Sequence, residues 1–214
     1  MAEGDESFGT RHQLVRRALL RLAGMSLAAL SAWPRLALAR EVAGSVEAIK
    51  GDAFAEAQAE RRKLENAAPL FIADQVSTGS QSRLAIRLGK DTTIHLGELA
   101  HLTIDRFIEN AGGEFTLQSG ALLFDRAPGA EPKPLRIRSS FGLIAVRGTR
   151  FFAGPSAGVF GVLVTRGSVS VSAGGQEIIL GAGEGTNIAH PGDAPTPPAP
   201  WKQPRIDAAL ESTL

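Results

Sequence analysis

The chain has 214 residues, 43% hydrophobic and 21% charged, an ordinary globular composition with enough apolar material for a buried core. Its formal charge of +1 is uneven: five of the 23 basic and three of the 22 acidic residues lie in the first 39, leaving 18 basic against 19 acidic from Arg40 onward, a balance that removes the electrostatic basis for nucleic-acid binding. Cysteine and tyrosine are absent and tryptophan occurs only at Trp33 and Trp201, which excludes disulfides, thiolate metal sites and a Cys nucleophile and leaves few flat rings for stacking sugars or bases.

The N-terminus reads as an address. Arg16-Arg17 precede an apolar stretch from Leu19 to Ala32, and Ala37-Leu38-Ala39 has the small-x-small form that signal peptidase accepts, so cleavage is expected before Arg40. The stretch is broken by Arg21, Gly24 and Ser26 and falls short of the ~30 Å of a bilayer core, which favours a signal peptide over a retained anchor. Arg16-Arg17-Ala18-Leu19-Leu20-Arg21 resembles a twin-arginine export signal, with Leu19 where that pattern prefers Phe and Val15 where it prefers Ser or Thr; the other reading is an ordinary Sec signal. Residues 1–39 are read as a signal peptide, and either route places the mature chain in the periplasm.

From Leu84 to Ile104 the even positions are mostly apolar (Leu84, Ile86, Leu88, Ile94, Leu96, Leu102) and the odd ones mostly polar (Arg83, Arg87, Asp91, His95, His101, Asp105), the period of a pleated strand. Breaks at Gly89-Lys90-Asp91 and Gly97-Glu98 divide this stretch into two or three strands. Further short strands are predicted over Glu114 to Phe124, Leu135 to Arg138, Leu143 to Val146, Phe151 to Ala153, Val159 to Val164, Val169 to Ser172 and Ile178 to Leu180, separated by turns such as Gly112-Gly113 and Gly174-Gly175. Only Ala55 to Asn66 has helical composition, and it reads equally as a loop. Six prolines from Pro191 to Pro204 predict an extended linker, followed by a short helix around Ile206 to Ser212. Strand-Gly-strand units at Val42 to Ile49, Leu117 to Phe124 and Val164 to Val171 suggest solenoid-like rungs, but spacings of about 76 and about 47 residues are too irregular for a repeat array. The expected fold is all-β, a twisted two-sheet β-roll or sandwich with solenoid-like rungs.

Three stretches carry a resemblance to a known family. They are Val42-Ala43-Gly44-Ser45-Val46; Val76-Ser77-Thr78-Gly79 with Ser82 to Leu88 and Thr93-Ile94-His95-Leu96; and Val146-Arg147-Gly148-Thr149-Arg150-Phe151, the most distinctive. With the closing Val164 to Val169 and Leu180-Gly181-Ala182-Gly183-Glu184, they resemble the FecR domain over roughly Val42 to Ile188, in the family's usual order. Gly89-Lys90-Asp91 stands where the family usually has Asp-Gly, and Ser139-Ser140 where it usually has Thr-Pro. The resemblance implies a FecR-like domain over residues 40–190, with residues 191–214 as linker and helix. It also implies signal relay in the cell envelope, with an envelope or membrane protein as partner. The family's regulators carry an anti-sigma segment and a transmembrane helix ahead of this domain; the two do not fit into 39 residues, so only the binding or relay role is carried over.

Within the distinctive segment, Val146, Arg147, Gly148, Thr149 and Phe151 are read as structural: Gly148 takes a backbone conformation or close contact that a Cβ would obstruct, and Thr149 caps a turn. Arg136, Arg138, Arg147, Arg150 and Arg166 are the candidate partner-binding residues, an anion or acidic-partner site if they converge and solvated faces if they scatter. His95, Glu98 and His101 are not a metal set, because the histidines would lie about 20 Å apart on one straight strand and Glu98 would face away. Gly181-Ala182-Gly183-Glu184-Gly185 reads as a turn rather than a phosphate loop, and no Gly-x-Ser-x-Gly elbow is present. No catalytic residue, metal site or cofactor is expected. The other reading is a cell-wall accessory that binds glycan or peptidoglycan, disfavoured by the scarcity of aromatic platforms.

Overall fold

The computed structural model describes residues 40–109 and 111–214, which form one compact unit from Arg40 to Leu214. The segment read as a signal peptide lies outside the described residues. In chain order the strands are β1 (Val42–Lys50), β2 (Ala53–Ala57), β3 (Glu60–Lys63), β4 (Pro69–Phe71), β5 (Gln75–Thr78), β6 (Arg83–Leu88), β7 (Thr92–Leu96) and β8 (His101–Ile108). There follow β9 (Gly112–Ser119), β10 (Leu122–Arg126), β11 (Leu135–Ser139), β12 (Gly142–Ser156), β13 (Val159–Ala173), β14 (Gln176–Leu180), β15 (Glu184–Ile188), β16 (Ala199–Pro200) and one helix, α1 (Gln203–Glu211). No helix among the described residues is long and apolar enough to cross a membrane.

The spine is the β12–β13 hairpin, closed by a two-residue turn at Ala157-Gly158 in which both residues have positive φ (52° and 82°), the geometry that matches the right-handed twist of paired strands. Each strand is long enough to serve two neighbours along one edge. The first half of β12 pairs β11 and its second half β10, while β13 pairs β15 and then β14. Two sheets therefore diverge from one hairpin. The first runs β3-β2-β5-β8-β9-β11 and continues through β12 and β13 to β14; the second runs β4-β1-β6-β7-β10 and continues through the other half of the hairpin to β15 and β16. Both supply one apolar core, with Leu102, Phe115 and Ile144 from the first sheet and Leu84, Ile94, Phe124 and Phe151 from the second all at most 2% exposed. The arrangement is the expected two-sheet β-roll. Among the described residues only β9 and β11 pair in parallel within the regular ladders, and the three strand-Gly-strand units do not stack as equivalent rungs.

Two expectations are corrected. Ala55 to Asn66 is neither helix nor long loop: β2 and β3 form a hairpin around Gln58 and Ala59, both in the left-handed region at φ 51° and 64°. Pairing of β2 with β5 and the complete burial of Ala53 and Ala55 outweigh helical propensity and the strain of two left-handed non-glycine residues. The proline-rich segment is extended but is not a free linker. Thr196 bonds into β15, β16 pairs β15, and Trp201 is buried against Phe152 with Arg205 stacked 3.5 Å above its ring. Its slot exists because a Cβ on Gly161 or Gly185 would come within 2.6 Å of the indole. Leu123, Phe152 and Leu163 point away from the main core, and α1 and Trp201 cover them with Ala209 as a second apolar cluster.

Candidate partner-binding face and the bulge beside it

The distinctive motif is a break in the hairpin. Arg147 faces Ser168 and Arg150 faces Arg166, so Gly148 and Thr149 on β12 stand opposite the single residue Gly167 on β13. The register recovers at once, because Thr165 is the extra residue on β13 before Phe151 meets Val164, and its hydroxyl donates to the Arg150 carbonyl at 3.1 Å. The bulge sits where the two sheets part. It also joins two segments singled out separately in the sequence, Val146 to Phe151 and Val164 to Val169, as the two sides of one feature.

The steric demand falls on the opposite glycine from the one expected. Gly148 has φ +66°, but nothing but Pro132 lies near the position a Cβ would take, at 3.9 Å. Gly167 has φ +81°, and a Cβ there would lie 2.6 Å from Thr149 Cγ2 and 2.8 Å from the Gly148 carbonyl oxygen. Thr149 does not cap a turn: its hydroxyl is buried without a hydrogen-bond partner. The bulge turns Thr149 inward, so its methyl packs on Gly167 while the hydroxyl is shut off from acceptors. Val146 and Phe151 are core residues on either side.

The five candidate arginines do not form one cluster. Arg150 and Arg166 converge on Asp125 of β10, Arg150 Nε at 3.3 Å and Arg166 Nη2 at 2.7 Å, and Arg166 also donates to the Arg126 carbonyl. Arg136 and Arg138 project outward from β11, Arg138 paired with Glu114. Arg147 stands between them on β12. The Arg138 guanidinium, hydrogen-bonded to Glu114, holds that carboxyl below its ordinary value.

Strand register lines up a continuous outer row on the first sheet: Glu114, Arg136, Ala145, Ser170 and Ile179, from β9 across β11, β12 and β13 to β14. Ile179 is 70% exposed, the most exposed large apolar side chain among the described residues, and lies on a strand whose far edge pairs with nothing. A shallow groove runs along this row past Ser168. It combines a cation, small hydroxyls and an apolar contact.

The other sequence motifs are structural in placement. Thr78 clamps the corner between β7 and β8: its hydroxyl donates to the Gly97 carbonyl at 2.6 Å and accepts from the Ala100 N–H at 2.9 Å. His95 lies on β7, where burial pulls its imidazole below the ordinary value, while His101 on β8 pairs with Ser119 and Glu98 accepts from the Gln81 N–H. These three do not converge. At Gly181 to Gly185 the Glu184 carboxylate accepts from the Gly181 N–H at 2.7 Å, closing a turn into β15. Trp201, packed under Arg205, presents no free ring face for a sugar.

Sequence reasoning missed two acidic residues. Asp125 gathers Arg150 and Arg166, and the fully buried Asp74 holds Arg40 and Arg62 and accepts from the Phe71 N–H at 2.9 Å. Each carboxylate joins strands distant in sequence, so no local spacing announces it.

Comparison with known proteins agrees with this architecture. No curated protein sequence matches the chain. Two crystal structures of candidate anti-sigma factors from Parabacteroides distasonis share the fold, with TM-scores of 0.52 and 0.51 at 16% and 17% identity. Each alignment covers 64% of this chain, and 64% and 63% of the respective neighbour. Residues 74–170, which run from Asp74 through the bulge to Ser170, match the model of the FecR protein family.

Proposed function

We propose that this chain is a non-catalytic protein of the cell envelope, carried to the periplasm by residues 1–39, whose FecR domain binds a membrane or envelope protein and relays or scaffolds through that contact. The observation that carries the reading is the FecR match over residues 74–170, the span that includes the bulge and β11. The shared fold with candidate anti-sigma factors is in keeping with a regulatory role. The docking surface in this reading is the outer row of the first sheet. Arg136 and Ile179 lead it because both are exposed, whereas Arg150 and Arg166 have their charge met by Asp125.

The test is a crosslinking pulldown from intact cells comparing the wild type with an Arg136→Glu, Ile179→Glu variant. Both positions are exposed, so the variant should keep its melting temperature. Recovery of a membrane protein that the variant loses supports the reading. Undiminished capture by the variant moves the contact off this face, and sedimentation with purified peptidoglycan in place of a protein partner replaces relay with glycan binding.

A further inference from the structure

We infer that the cavity under residues 127–134 binds a small zwitterion of the α-amino-acid class, its carboxylate on Arg126 and its ammonium among the acidic residues at the rim. Arg126 ends β10 and is only 4% exposed, yet no carboxylate among the described residues lies within ion-pairing distance of its guanidinium. Nε donates to Thr92 Oγ1 at a long 3.4 Å and Nη1 to the Lys133 carbonyl at 3.0 Å, leaving Nη2 without a partner. The guanidinium lies 5.9 Å over the Phe124 ring with Nη2 open to the cavity, a cation withdrawn from bulk solvent that an incoming oxyanion completes. Burial lowers the proton affinity of Arg126, an effect that Asp91 partly offsets, yet an arginine remains cationic.

The cavity encloses about 140 Å³, room for about five water-sized groups, which suits a ligand as small as alanine. Its walls include Leu88 and Phe107, which offer a short side chain an apolar surface, and its rim carries Asp91, Glu109 and Glu131, all exposed. Lys90 and Lys133 also line the cavity, so three carboxylates and two lysines surround Arg126, and a zwitterion uses both signs. The site lies apart from the Arg136–Ile179 row, and its ligand chemistry is independent of the relay reading.

Isothermal titration of the purified chain with alanine, acetate, ethylamine and inorganic phosphate tests this. Alanine should bind, the three single-charge probes should bind at least about tenfold more weakly, and Arg126→Gln should lower alanine affinity by at least about tenfold. Because Arg126→Gln also removes a buried contact, a Glu109→Gln, Glu131→Gln variant, altered only at exposed positions, provides the second arm: it should weaken alanine while leaving acetate binding equal or tighter. No binding of alanine to the wild type, acetate or phosphate binding as tightly as alanine, or an unchanged alanine affinity in both variants would each overturn the proposal.

Discussion

The two halves of the β12–β13 hairpin use arginine in opposite ways. In the second sheet Arg150 and Arg166 reach from neighbouring strands to one carboxylate, Asp125, with side chains 30% and 38% exposed. In the first sheet Arg138 is paired with Glu114, while its neighbour Arg136 stands exposed on β11. A cation already neutralised and fixed inside the fold stabilises the bulge but offers little to a partner, whereas one facing solvent contributes little to stability and keeps its field. On the proposed docking reading, stability and recognition separate along one hairpin, with the bulge as the boundary.

The largest expected effect lies at that boundary. Gly167→Ala should destabilise by about 3 kcal/mol, since a left-handed φ is combined with contacts no Cβ tolerates. Gly148→Ala should cost only about 1 kcal/mol, because its φ is left-handed but its surroundings are open. Urea unfolding of both variants checks the difference, and equal losses would show that conformation alone governs the bulge. Next in size is Asp125→Asn, which should lose about 1 kcal/mol as two half-exposed ion pairs weaken. A double-mutant cycle with Arg166→Gln should show that most of this loss is shared; independent effects would dissolve the proposed cluster.

How much of this was legible follows the same divide between local pattern and long-range contact. The alternation from Leu84 to Ile104 and the glycine turns announced the strands because period two and left-handed turns are local properties. The β2–β3 hairpin was hidden because Gln58 and Ala59 carry no turn chemistry while their neighbours favour helix; the strain is met by burial of residues that only the fold brings together. The C-terminal strap was hidden for a related reason. Prolines mark extension but not what the extended chain lies on, and the Trp201 slot is built by Gly161 and Gly185 on two other strands. Of the arginine set, pairing on β11 was readable from spacing, but Asp125 and the lone buried Arg126 were not, since charge pairing across strands leaves no trace in one dimension.

A smaller effect is expected from His95 on the second sheet. Its folded-state proton affinity is lowered by burial first, with Arg150 and Arg87 adding to the shift and Glu47 and Asp125 opposing it. The unfolded state then binds the proton more readily than the fold, so this contribution is complete above the ordinary histidine value and is lost as pH falls through and below it. Between about pH 7 and pH 5 the wild type should lose more stability than a His95→Gln variant. Thermal melts at the two pH values decide it, and identical losses would mean that burial does not hold His95 below its ordinary value.

The smallest stability effect belongs to the other half of the comparison. Arg136→Ala should change folding free energy by no more than about 0.5 kcal/mol, since the side chain is exposed and covers none of the core. If the separation of roles holds, that near-neutral substitution reduces partner capture while Asp125→Asn, which costs more stability, leaves capture intact. The reverse ranking would place recognition at the bulge itself, and Arg150 and Arg166 would then have to leave Asp125 to engage the partner, a change visible as salt-dependent partner capture.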